Sequence, residues 1–179
     1  MLDYLYPQTI DKLSSKFNGE IKISKSRGKY SVWIGGFEQS GSVYVEKIWG
    51  KALKELPPLW RGELLRNIKV LVLGLGCGTV IPIIFKKWPK AKIVGVEIDP
   101  VMINLGEKYF GLKNFENLKI ICGDAKKQKL SGYDLIITDA YLGGKNQLTK
   151  IKSQIPILSN LFNPKTLKNE IKVYHLDFS

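Results

Sequence analysis

The chain has 179 residues and a net charge of +12. That length suits one domain with a small appendage, of whose unfolded surface roughly 70% is buried on folding, and a hydrophobic content of 44% excludes wholesale disorder. No apolar run approaches the roughly 20 residues that span a bilayer, and Met1-Leu2-Asp3-Tyr4 does not open a signal peptide, so a cytoplasmic protein with no membrane span is expected.

Residues 1–18 read as a leader with a weak helix from Ile10 to Phe17. Two β-like runs follow, Glu20 to Ile23 and Lys29 to Ile34, joined by the turn Ser24-Lys25-Ser26-Arg27-Gly28. Such a hairpin is not stable alone and must pack on something larger. From Val45 to Leu56 the apolar residues recur at helical spacing, until Pro57-Pro58 stops them. A short helix is expected from Leu59 to Arg66.

Strand and helix then alternate. Lys69 to Leu73 is a strand apolar on both faces, and Val80 to Trp88 a helix with Pro82 in its first turn. Lys92 to Val96 is the second strand, and Pro100 opens a helix to Phe110. Lys119 to Cys122 and Tyr133 to Thr138 are the third and fourth strands. Alternation of this kind makes a parallel sheet with right-handed crossovers. A helix from Leu148 to Leu161 and a fifth strand, Ile171 to Leu176, are expected to finish the chain. The division is thus 1–42, a leader and β-hairpin, and 43–179, a Rossmann-like α/β domain.

Candidate chemistry gathers at the carboxyl ends of the four core strands. Gly74-Leu75-Gly76-Cys77-Gly78 lets the backbone turn sharply and approach a ligand with no Cβ in the way. Glu97 ends the second strand, where an acid accepts hydrogen bonds from ribose hydroxyls. Gly123-Asp124-Ala125 follows the third strand, and Asp139 ends the fourth. Open α/β sheets bind ligands along this edge. Asp99, before Pro100, reads as a helix N-cap. A dinucleotide oxidoreductase would show Gly-x-Gly-x-x-Gly, and a phosphate loop Gly-Lys-Ser/Thr; neither is present. The pattern therefore points to an adenosyl ligand.

Cys77 and Cys122 form no CxxC pair, and with His175 as the one histidine no zinc site is expected. The positive charge is mostly scattered lysine; the arginines are only Arg27, Arg61 and Arg66. Arginine is the usual reader of guanine edges, so nucleic acid is possible as a partner but not favoured.

Val70 to Tyr141 resembles the class I S-adenosylmethionine-dependent transferases, in particular their spermidine-synthase-like branch. The residues that carry it are Leu73 to Thr79, Val96-Glu97-Ile98-Asp99-Pro100, Tyr109 to Leu112, Gly123-Asp124-Ala125 and Tyr133 to Tyr141, with the hairpin, Gln39-Ser40 and Tyr44 matching more loosely. The resemblance implies a doubly wound, mostly parallel sheet. It implies S-adenosylmethionine or its decarboxylated form as cofactor, lined by Gly74, Gly76, Cys77 and Gly78. Glu97 and Ile98 would hold the ribose, and Asp124 and Ala125 the adenine. Asp139 would be the catalytic acid facing an acceptor amine, with Gln39, Tyr44 and Tyr141 on the acceptor side. The loop after Asp139 lacks the second acid of aminopropyltransferases, and Cys77-Gly78-Thr79 replaces their usual Asp-Gly pair. The chain also has no residues for the antiparallel strand pair that ends the family fold. The fifth strand is then expected at an exposed edge, which a second copy in a homodimer would cover. Alternatives are a methyltransferase acting on a small molecule or nucleic acid, and a non-catalytic nucleotide-binding or assembly module.

Overall fold

The computed structural model describes residues 6–41, 43–56, 67–142, 145–146, 157–163 and 168–174. The chain begins with a four-stranded antiparallel sheet in sequential order: β1 (Gln8–Ser15), β2 (Gly19–Ser26), β3 (Lys29–Ile34) and β4 (Phe37–Ser40). The hairpin read from sequence is the central pair of this sheet. The expected helix at Ile10 to Phe17 is instead strand β1, paired antiparallel with β2 from Gln8↔Lys25 to Ser15↔Gly19. Ile10, Leu13 and Phe17 mimic helical spacing, but pairing with β2 decides the outcome; β strength is mostly partner context.

Helix α1 (Val43–Glu55) leads to the second sheet. Residues 57–66, where the second short helix is expected, lie outside the described residues. The elements β5 (Lys69–Leu73), α2 (Ile81–Lys87), β6 (Lys92–Glu97), α3 (Pro100–Tyr109), β7 (Leu118–Cys122) and β8 (Leu135–Thr138) follow as the sequence predicts. A short ladder joins β9 (Tyr141–Leu142) to β10 (Lys145–Asn146). Then come β11 (Ile157–Asn163) and β12 (Lys168–Tyr174).

The second sheet has the order β12-β11-β8-β5-β6-β7. Strand five is β11, parallel to β8, where the sequence suggests the end of a helix. Residues 147–156 of that expected helix are not described. The segment read as strand five is β12, and it runs antiparallel to β11. One antiparallel strand thus follows the parallel five, and β12 rather than a second copy covers the β11 edge. Strand order reverses between β5 and β8, which places a binding crevice at their carboxyl ends.

Burial on both faces explains why β5 is an unbroken apolar run. Val70 and Val72 enter one core with Trp49, Leu53, Ile81 and Ile84. Leu71 and Leu73 enter another with Val96, Ile136 and Ile157. A third cluster joins the two sheets: Ile21, Ile23 and Val32 pack on Cys77, Met102 and Leu105. Each such fully buried aliphatic side chain contributes about 1.5–3 kcal/mol, so the N-terminal sheet is anchored over the glycine loop and α3. No described helix is long and apolar enough to cross a membrane.

Candidate functional site

The glycine loop is held by its neighbours rather than by itself. Gly74 and Leu75 both donate their N–H to Val96 O at 2.9 Å, pulling the turn against β6. Gly74 has φ +84°, and a Cβ there would lie 2.5 Å from Ala140 N and from the Asp139 carbonyl. The absent side chain is what lets the segment after β8 pass beside β5. Asp139 N donates to Leu73 O at 2.8 Å, which fixes that segment at the sheet edge.

Glu97 is 8% exposed. Its Oε2 accepts the Gly76 N–H at 2.7 Å and its Oε1 the Asp99 N–H at 3.0 Å. Burial raises its pKa above the ordinary value; the Asp99 and Gly76 backbone donors lower it, and the Asp99 charge raises it. A carboxylate has about four acceptor positions, so the two backbone bonds leave capacity for further donors from the cleft.

Asp99 does more than cap α3. Its Oδ1 accepts the Val101 N–H at 2.9 Å, the expected N-cap bond. Its Oδ2 accepts from Ser15 Oγ at 2.5 Å and Asn18 Nδ2 at 2.6 Å. The turn between β1 and β2 is thereby tied to the residue whose N–H holds Glu97. A second tie comes from the end of β4, where Gly41 N donates to Thr79 Oγ1 at 3.1 Å and Ser40 Oγ accepts the Cys77 N–H at 3.4 Å.

One cleft opens between these parts. Gly74, Gly76, Glu97, Ile98, Asp124, Ala125, Asp139 and Gln39 all line it. The structure therefore brings together most of the residues singled out from sequence. Asp124 caps the short 3-10 turn Ala125–Lys127 by accepting the Lys126 N–H at 2.9 Å. Cys77 does not line the cleft. It is 0% exposed, turned into the cluster with Ile21, Ile23 and Met102 by the positive-φ glycines on either side. Burial pushes its thiol up to about 12, against a smaller lowering from Ser40; the Glu97 and Asp99 charges raise it further. Gly78 is also turned inward: a Cβ there would meet Leu112 Cδ2 at 2.2 Å. Tyr44 lies in α1 and Tyr141 opens β9, but their side chains are outside the described residues. Asn18, Thr79, Val45 and Trp49 line the cleft and were not assigned to it from sequence. Val45 and Trp49 share a helix face, a visible pattern, yet nothing local says that this face meets the sheet edge.

The titratable side chains around the cleft are Glu97, Asp124 and Asp139 against Lys126. An acidic cleft in a chain of charge +12 repels phosphates and attracts a cation.

The fold is that of the class I S-adenosylmethionine-dependent transferases. Residues 66–171 match a family model described as a methyltransferase domain, and the chain belongs to that family. The polyamine aminopropyltransferase of Vibrio vulnificus is 36% identical over 81 residues, covering 42% of this chain and 27% of that protein. A malonyl-[acyl-carrier protein] O-methyltransferase of Priestia megaterium is 36% identical over 90 residues, 48% of this chain and 32% of that one. The chain spans about a quarter to a third of the length of these two relatives. A crystal structure of spermidine synthase in complex with the transition-state analogue AdoDATO superposes with a TM-score of 0.66 at 17% identity, over 88% of this chain and 59% of that one. Spermidine synthase from Thermotoga maritima gives 0.64 at 16%, over 88% and 58%. At such identities these superpositions establish the fold alone.

Proposed function

We propose that the cleft binds an adenosyl sulfonium donor, S-adenosylmethionine or its decarboxylated form, and that the chain transfers an alkyl group from it to an amine. The observation that carries this reading is the convergence of Gly76, Glu97 and Asp124 on one acidic cleft. Glu97 has acceptor capacity left for two ribose hydroxyls. Gly76 leaves open the space a side chain would fill, its Cβ position meeting nothing nearer than Ser40 Oγ at 3.5 Å. The cleft's carboxylates favour a cationic sulfonium over a pyrophosphate.

The bound donor supplies an electrophilic carbon next to sulfur. The protein's share is alignment: an amine held in line with that carbon gains most of its rate from positioning. Asp139 lines the cleft at the end of β8, where its carboxylate would orient the attacking amine and take its proton. Among the described cleft residues it is the acid on the far side of the glycine loop from Glu97 and Asp124. One acid suits a monoamine better than a polyamine, which needs an acid at each end. That observation favours the second reading, methyl transfer to a small amine.

The test is incubation of the chain with either donor and a panel of amines, with products read by mass spectrometry. The expected result is an amine-dependent alkylated product that is lost in Asp139→Asn. Donor binding with no product from any amine would favour a non-catalytic binding module.

A further inference from the structure

Beyond the glycine loop, the end of the cleft away from Asp124 is walled by Val45 and Trp49 of α1, Thr79 and Asp139. Trp49 is 1% exposed, and among the described residues nothing accepts a hydrogen bond from its indole N–H. The indole of Trp33, by contrast, donates to Ser24 Oγ at 2.9 Å. Buried indole donors are normally paired. The unpaired one belongs to a side chain that lines the cleft, so whatever fills the cleft is its available acceptor. Thr79 adds a second donor. Its Oγ1 already accepts the Gly41 N–H, which leaves its own proton to give.

We propose that Trp49 and Thr79 form a carboxylate subsite that takes the α-carboxylate of intact S-adenosylmethionine. This rests on the adenosyl reading above and narrows it to methyl transfer. An indole N–H is donor-only. A carboxylate is acceptor-only and complements it, whereas an ammonium is itself donor-only and gains nothing beside it. The decarboxylated form carries only an ammonium at that end. In the transfer, the amine lone pair forms the bond to the methyl carbon and the carbon–sulfur pair returns to sulfur, leaving a neutral thioether. The nitrogen's proton passes to Asp139.

The experiment is calorimetric titration of the full chain with S-adenosylmethionine, its decarboxylated form and methylthioadenosine, repeated on Trp49→Phe and Thr79→Val. The wild type is expected to bind S-adenosylmethionine roughly tenfold or more tighter than the decarboxylated form, the range of a hydrogen bond to a charged group. Trp49→Phe keeps the ring and removes the donor. It should cut that ratio roughly tenfold and leave methylthioadenosine, which has no carboxylate, unchanged. Thr79→Val should cut the ratio too. Equal or tighter binding of the decarboxylated form by the wild type overturns the subsite, whether or not the variants fold. So does an unchanged ratio in folded Trp49→Phe. Failure of all three ligands to bind the wild type overturns the adenosyl reading itself.

Discussion

Burial works against the charged form of Glu97, while two backbone N–H groups work for it. The net direction is upward, so the native state holds this proton more tightly than the unfolded chain does. Stability from the group is then fully present below its ordinary value of 4.5 and is lost as pH rises through the raised native value. Urea unfolding of wild type and Glu97→Ala across that range should show the difference moving against the wild type as pH rises. Movement the other way would contradict the dominance of burial. Donor affinity should follow the opposite course, falling as acid protonates the carboxylate that accepts the ribose hydroxyls. Gly74 gives a second prediction at this scale. Gly74→Ala strains a residue at φ +84° and drives a Cβ to 2.5 Å from the Asp139 backbone. The strain alone costs about 1–3 kcal/mol. Gly76→Ala meets no atom nearer than 3.5 Å, so chemical denaturation should rank Gly74→Ala as clearly the more destabilising of the two.

Among the elements, β1 is the one whose part in the site could not be foreseen. It is an edge strand, mostly exposed, and its last residue, Ser15, is buried against Asp99. Ser15→Ala removes one of the donors to a fully buried carboxylate, a loss of about 1–3 kcal/mol, which thermal unfolding would register. Core strands were legible because burial on both faces writes a continuous apolar run, as in Lys69–Leu73, and the next residues then mark the sheet edge. That is how Glu97, Asp124 and Asp139 could be placed. β1 and β11 were not legible. A half-buried edge strand such as β1 has no clean alternation, and the apolar run at Ile157–Leu158 fits a helix as well as a strand until its partner Ile136–Ile137 is known.

At the level of the whole molecule, the two sheets share a site and a core. Asn18, Ile34, Gln39 and Ser40 reach the cleft from the N-terminal sheet, because Ile21, Ile23 and Val32 pack on the glycine loop and α3. These are contacts between segments far apart in sequence, and no local pattern announces them. The division at residue 42 is therefore expected to be one of topology, not of stability. Far-UV circular dichroism and tryptophan fluorescence should report one coincident unfolding transition, and two separated transitions would contradict the shared core. The charge is divided in the same way: lysines on the surface, carboxylates around the cleft. The central claim is that this cleft is an adenosyl site ordered around Glu97. Its most direct measurement is calorimetric titration of S-adenosylhomocysteine into the wild type and Glu97→Ala. Saturable one-to-one binding that weakens at least roughly tenfold in the variant, the value of two hydrogen bonds to a charged group at the low end, is the predicted result. No binding to the wild type at millimolar ligand, or equal affinity in the two proteins, would contradict it.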